Sequence, residues 1–193
     1  MSRLYVVSAS IRSGSSGRPL AHWVADRARR HPAGPDVTLV DLREVGLPLL
    51  AEPEHPADGR YVHRSTREWS ALVSAADAFV FVMPMHNGAF SAPLKNALDH
   101  LYAEWRDKPV GLVSYSVGSS GGAPAVAMLR PVLERLGMRA AGASLSVPGI
   151  EDRIGTDGEF TVTPEVADGV GAVLDEVAAL LGAGDTAPVG ACA

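Results

Sequence analysis

Cysteine is almost absent: Cys192, near the end of the 193-residue chain, is the single thiol. This excludes an intrachain disulfide, a cysteine-based metal site and dithiol cycling, so any redox chemistry must come from a bound cofactor. Long hydrophobic runs are missing as well. No window approaches the roughly 18 consecutive apolar residues of a membrane span, and the opening MSRLYVVSAS enters a strand-like block without a signal-peptide layout. A cytoplasmic protein with no membrane association is expected. Positive charge is short, with 17 Lys and Arg against 22 Asp and Glu, a net charge of −5 and a pI near 5.6. Nucleic acid, whose phosphates need clustered cations, is therefore not an expected partner. The one basic cluster, DRARR at 26–30, reads as a solvated helix end. The histidines do not replace the missing cysteines: His22, His31, His55, His63 and His100 fall on separate segments without metal-ligand spacing, and surface positions are expected for each.

What the chain does have is alternation. Apolar, β-branched blocks recur as LYVVSAS (4–10), DVTLVDL (36–42), AFVFVMP (78–84) and PVGLVSYS (109–116), with a weaker fifth, AGASLSVP (141–148). Helical spacing lies between them: Leu20, Trp23, Val24 and Ala28 share one face, as do Trp69, Leu72, Val73 and Ala76, and again Val126, Leu129, Val132, Leu133 and Leu136. Pro131 inside the third of these helices predicts a kink or a tightened turn. A last helix opens with Thr163 as N-cap and Pro164 at its first position. Strands apolar on both faces that alternate with helices describe a parallel sheet covered on both sides. The expectation is an α/β, flavodoxin-like three-layer sandwich whose five-stranded parallel sheet has the order 2-1-3-4-5. One domain is expected over residues 1–182, with a long Pro-rich loop at 48–62 and a flexible tail at 183–193.

That strand order brings the loops after strands 1, 3 and 4 to one crevice. The first loop, SASIRSGSSGR (8–18), offers hydroxyls, a guanidinium and a helix N-terminus, all donors to an anion. It has neither the Gly-Lys-Ser/Thr of a P-loop nor a G-x-G-x-x-G fingerprint, so a monophosphate is the expected ligand. In the second loop Pro84 should end the ladder and Gly88 should let the backbone approach a flat ligand, with Ser91 capping a helix over 91–102. The third is SYSVGSSGG (114–122). Ser10, Ser15 and Ser16 invite a hydrolase reading, but no G-x-S-x-G elbow accompanies them. Lys95 and Asp99, four residues apart, read as a solvated or interface pair.

At these residues the chain resembles the NADPH-dependent FMN reductase family, the flavodoxin-like group that also includes quinone, azo-dye and chromate reductases. The resemblance rests on Ser10-Ile11-Arg12 followed by Ser15, Ser16, Gly17 and Arg18; on Pro84-Met85-His86-Asn87 followed by Pro93-Leu94-Lys95-Asn96-Ala97-Leu98-Asp99; and on Ser114-Tyr115-Ser116-Val117-Gly118 with Gly121-Gly122 downstream. It departs from the family at His86, where a Tyr is usual, and at Met85 before it. The resemblance implies FMN held at its phosphate by Ser10, Arg12, Ser15, Ser16 and Gly17. Pro84, Met85, His86, Asn87 and Gly88 would line the isoalloxazine, and Tyr115, Ser116 and Gly118 would close its other edge. It also implies hydride transfer from NADPH or NADH to the flavin, then delivery to a small acceptor such as free flavin, a quinone or an azo compound, or supply of reduced flavin to a flavin-dependent monooxygenase. A homodimer or homotetramer is implied as well. No protein nucleophile or base is required, and His86 is read as a pocket wall before a proton donor. The other reading is a flavin-binding electron carrier without its own NAD(P)H turnover.

Overall fold

The computed structural model describes residues 1–184. The apolar blocks form β1 (Arg3–Ser8), β2 (Asp36–Asp41), β3 (Ala78–His86), β5 (Pro109–Tyr115) and β6 (Arg139–Val147), with a two-residue strand β4 (Ala89–Phe90) between the third and fourth blocks. The helices are α1 (Gly17–Arg29), α2 (Leu42–Val45), α3 (Arg64–Ala75), α4 (Ala92–Asp99), α5 (Ala123–Arg135) and α6 (Pro164–Gly184). The main sheet runs β2-β1-β3-β5-β6, all parallel, which is the expected order once β4 is set aside. β4 is the small departure: it pairs antiparallel with the end of β3 as a hairpin. The expected tail lies outside the described residues from 185 onward, as does Cys192, while 183 and 184 close α6.

Alternation along the strands assigns each face its own core. Phe79, Phe81 and Met83 point toward α3, α4 and α5, and pack with Trp69, Leu94, Leu98, Trp105, Leu129 and Leu133. Val80 and Val82 point the other way, to Leu20 and Val24 of α1 and Val170, Leu174 and Val177 of α6. The first core is aromatic, with Trp105 centred 5.2 Å from Phe79 and 6.1 Å from Trp69. Both indoles also satisfy the end of α4. Trp69 Nε1 donates to the Ala97 carbonyl at 2.9 Å and Trp105 Nε1 to that of Leu98 at 3.1 Å, which also accepts from Leu101 N at 3.4 Å. The Asn96 side chain accepts from Leu50 N (3.0 Å) and donates to Pro48 O (2.8 Å), so this helix also pins the long loop after β2.

His100 corrects the sequence reading. It follows α4, is 1% exposed, and its Nδ1 is buried without a hydrogen-bond partner among the described residues. It lines a hollow of about 280 Å³ with Pro48, Leu49, His63 and Thr66. Burial holds its pKa below the usual histidine value, against the pull of Glu52 and Asp99. The folded chain therefore resists a proton that the unfolded chain takes up below about pH 6.5, so stability falls as the pH drops through that value. His100→Leu, which removes the unsatisfied nitrogen, is expected to raise the melting temperature by about 3 °C at pH 5.5. The gain should shrink at pH 8. Thermal melts at both pH values check this, and a variant with the wild-type pH slope would refute it.

Candidate functional site

The crevice forms where three strands end side by side. Val82 O accepts from Ala9 N at 2.9 Å, and Pro84 is in register with Tyr115, so the loops after β1, β3 and β5 leave the sheet together. Ser91 stitches the first two. It sits at the N-cap position of α4, but its buried hydroxyl makes no cap bond and donates instead to Ala9 O at 2.8 Å.

The resulting cleft holds about 320 Å³ and is lined by Ser10, Arg12, Ser15, Ser16, Pro84, Met85, His86, Tyr115, Ser116 and Gly118 of the expected set. Gly17 lies behind this lining, and Asn87 and Gly88 lie beyond it. Those last two form the hairpin turn between β3 and β4, with φ of 51° and 81°, the backbone a two-residue Asn-Gly turn requires. Pro84 ends only the ladder with β5; the strand itself continues to His86 by pairing with β4. Gly14, Val117, Ile150 and Glu151 complete the lining and were not expected. Ile150 and Glu151 follow β6, a strand outside the three-loop argument, and Ile150 N donates to Ser116 O at 3.1 Å. A larger hollow of about 540 Å³ opens at the opposite, amino-terminal end of the strands, near Met1, Pro35 and Leu181.

Electrostatically the first loop is rich in hydrogen-bond donors. Arg12 is exposed and has no ion-pair partner among the described residues, whereas Arg18 is committed to Asp41 (2.6 Å) and Glu44. Ser15, Ser16 and Gly17 open α1, whose first-turn N–H groups face the loop. Tyr115 crosses from β5 into the same loop: its hydroxyl lies 3.2 Å from Ser15 Oγ, and a Cβ at position 17 would stand 2.0 Å from it. Burial pushes the phenol pKa up, so it stays protonated. On the opposite wall, Met85 is half-buried with its sulfur 3.9 Å from Ser120 Oγ, and His86 is exposed at the rim. The described residues contain no group of His, Cys, Asp and Glu able to hold a metal, and no helix long and apolar enough to cross a membrane.

A doubly wound parallel sheet of this order, with three loops meeting at its switch point, defines the flavodoxin-like class. Residues 2–152 match the NADPH-dependent FMN reductase family, and the chain belongs to it. It is an oxidoreductase that uses FMN and NAD(P)H, the enzyme reading rather than the carrier. Its relatives include an NAD(P)H-dependent FMN reductase of Schizosaccharomyces pombe, 39% identical over 141 residues that span 72% of this chain and 69% of the relative. A 2-hydroxy-1,4-benzoquinone reductase of a Burkholderia species is 32% identical over 67% of this chain and 69% of its own. In fold, the chain superposes on FerB, an NAD(P)H:acceptor oxidoreductase of Paracoccus denitrificans, with a TM-score of 0.75 at 19% identity, covering 95% of this chain and 98% of that one.

Proposed function

We propose that the cleft binds FMN with its phosphate in the first loop and its ring system between the ends of β3 and β5. The observation that carries this is the unpaired Arg12 beside Ser10, Ser15 and Ser16 at the N-terminus of α1. The residues fit the group: the first loop carries a free guanidinium and several hydroxyls, and Gly17 lets the Tyr115 phenol pack beneath the start of α1, where a Cβ would overlap it. FMN, when bound, supplies the chemistry, taking a hydride from the nicotinamide and passing electrons to an acceptor. The chain's own residues position and polarise. Pro84 and Met85 form one wall, and Ser116 and Gly118, with the backbone of Tyr115, form the other. Ser116 Oγ donates to Gly118 O at 3.0 Å and so holds the loop that offers its N–H groups to charge on a reduced ring.

The acceptor we assign is a small planar oxidant of the quinone type. The slot is shallow and open, its rim carries the apolar Val117, exposed by 63%, and His86 shapes the mouth. NAD(P)H and the acceptor would use this slot in turn. A second copy of the chain is the assembly partner in this reading, supported by exposed Leu49 and Leu50 beside Ile11. A cytoplasmic location, and a flavin-dependent monooxygenase as a further recipient of reduced flavin, belong to the same reading. The test is an absorbance spectrum of the purified protein with FMN, followed by anaerobic NADPH. Bleaching of the flavin band and its return on adding a benzoquinone is the expected result. A protein that stays colourless and fails to retain added FMN would overturn the proposal.

A further inference from the structure

We infer that Tyr115 is a positioning residue for the phosphate of the cofactor: its hydroxyl sets Ser15 as a donor aimed at the anion, and so selects phosphorylated over unphosphorylated flavin. This rests on the proposed placement of FMN and gives the tyrosine a different task from closing the edge of the ring.

The side chain ends β5, a hundred residues from Ser15, yet it is 5% exposed because it is packed beneath the first turn of α1. Its place there depends on Gly17, where even a methyl group would overlap the phenol oxygen. Hydroxyl bookkeeping then decides polarity. A serine hydroxyl has two acceptor sites and one proton. Ser15 Oγ accepts from Gly17 N at 3.2 Å, which uses one acceptor site. The phenol, kept protonated by burial, has one proton to place, and Ser15 Oγ stands 3.2 Å from its oxygen. When the phenol proton goes to Ser15, the only capacity left on Ser15 is its own O–H. That proton faces the cleft, which Ser15 lines. A phosphate only accepts, and a hydrogen bond to its charge is stronger than one to a neutral hydroxyl. The reverse arrangement would turn a lone pair toward the anion. The bound phosphate and the phenol therefore favour the same orientation.

The test compares FMN with riboflavin, which lacks the phosphate and keeps the ring, by quenching of flavin fluorescence. Tyr115→Phe keeps the aromatic packing and removes the hydroxyl. The expected result is an FMN dissociation constant raised roughly tenfold with that of riboflavin unchanged within about twofold. Ser15→Ala should give the same selective loss, and Tyr115→Phe added to it should cost little more, since the phenol acts through that serine. Equal weakening of both flavins would show that the ring only shapes the pocket, and unchanged FMN binding or additive effects of the two changes would equally overturn the inference. Should Tyr115→Phe fail to fold, a Ser15→Ala variant that binds FMN as tightly as wild type would also overturn it. Failure of the wild-type protein to bind FMN is a different outcome: it defeats the proposed function itself.

Discussion

Arg12→Ala is expected to weaken FMN binding by about 10- to 100-fold while leaving the melting temperature within about 1 °C of wild type. The guanidinium is exposed and pairs with no carboxylate among the described residues, so its loss breaks no contact that holds the fold. In the proposed site it makes a charge-assisted bond to the phosphate, and such bonds exceed neutral ones about twofold. The same variant should show a shallower dependence of affinity on salt, because an exposed cation facing an anion is screened as ionic strength rises. Titrating FMN at low and high salt measures both effects. An Arg12→Ala protein with wild-type affinity would place the phosphate elsewhere. Arg18→Ala should behave in the opposite way, losing stability first, because its partner Asp41 is 8% exposed and would be left unpaired.

The second large effect concerns the wall formed by the loop after β5. Gly121 has φ of +58°, and a Cβ there would lie 2.6 Å from the Ser146 carbonyl carbon and 2.8 Å from Pro148 N. These are backbone atoms at the end of β6, so no side chain can swing aside. Gly121→Ala is expected to destabilise the fold by about 3 kcal/mol, combining backbone strain with overpacking. For a domain of this size that is a fall of about 10 °C in melting temperature. Flavin affinity should fall with it, because Ser114 Oγ donates to Gly121 O at 3.0 Å and the loop carries the second wall of the slot. Calorimetry and an FMN titration on the same preparation test the two together. A variant that melts with the wild type would show that β6 and this loop yield more easily than their spacing implies.

The periodic segments were legible in the sequence because their signal is local. Val80 and Val82 alternate with Phe79 and Phe81 whatever surrounds them, and Leu20, Val24 and Ala28 share a helix face by spacing alone. The strand order followed from handedness and burial, and the Ser and Gly loops could be placed at strand ends from order and composition. The hairpin at Asn87-Gly88 was also legible, because an Asn-Gly pair between strand-forming residues is a strong turn signal. The burial of His100 could not be read, since a polar residue after a helix gives no sign that the chain will fold over it. Nor could the hydroxyl of Ser91 be assigned to Ala9 O rather than to its own helix.

Sequence by itself therefore determined the kind of sheet, the loops that meet at its switch point, and the side chains available there as anion donors. Tertiary structure alone decided which of those groups are free. Arg12 is open while Arg18 is spent on Asp41 and Glu44, and Tyr115 serves the first loop although it belongs to the third. The physical reason is range: strand and helix periodicity is set by neighbours a few residues apart, whereas hydrogen-bond pairing depends on distances that exist only once remote segments have packed.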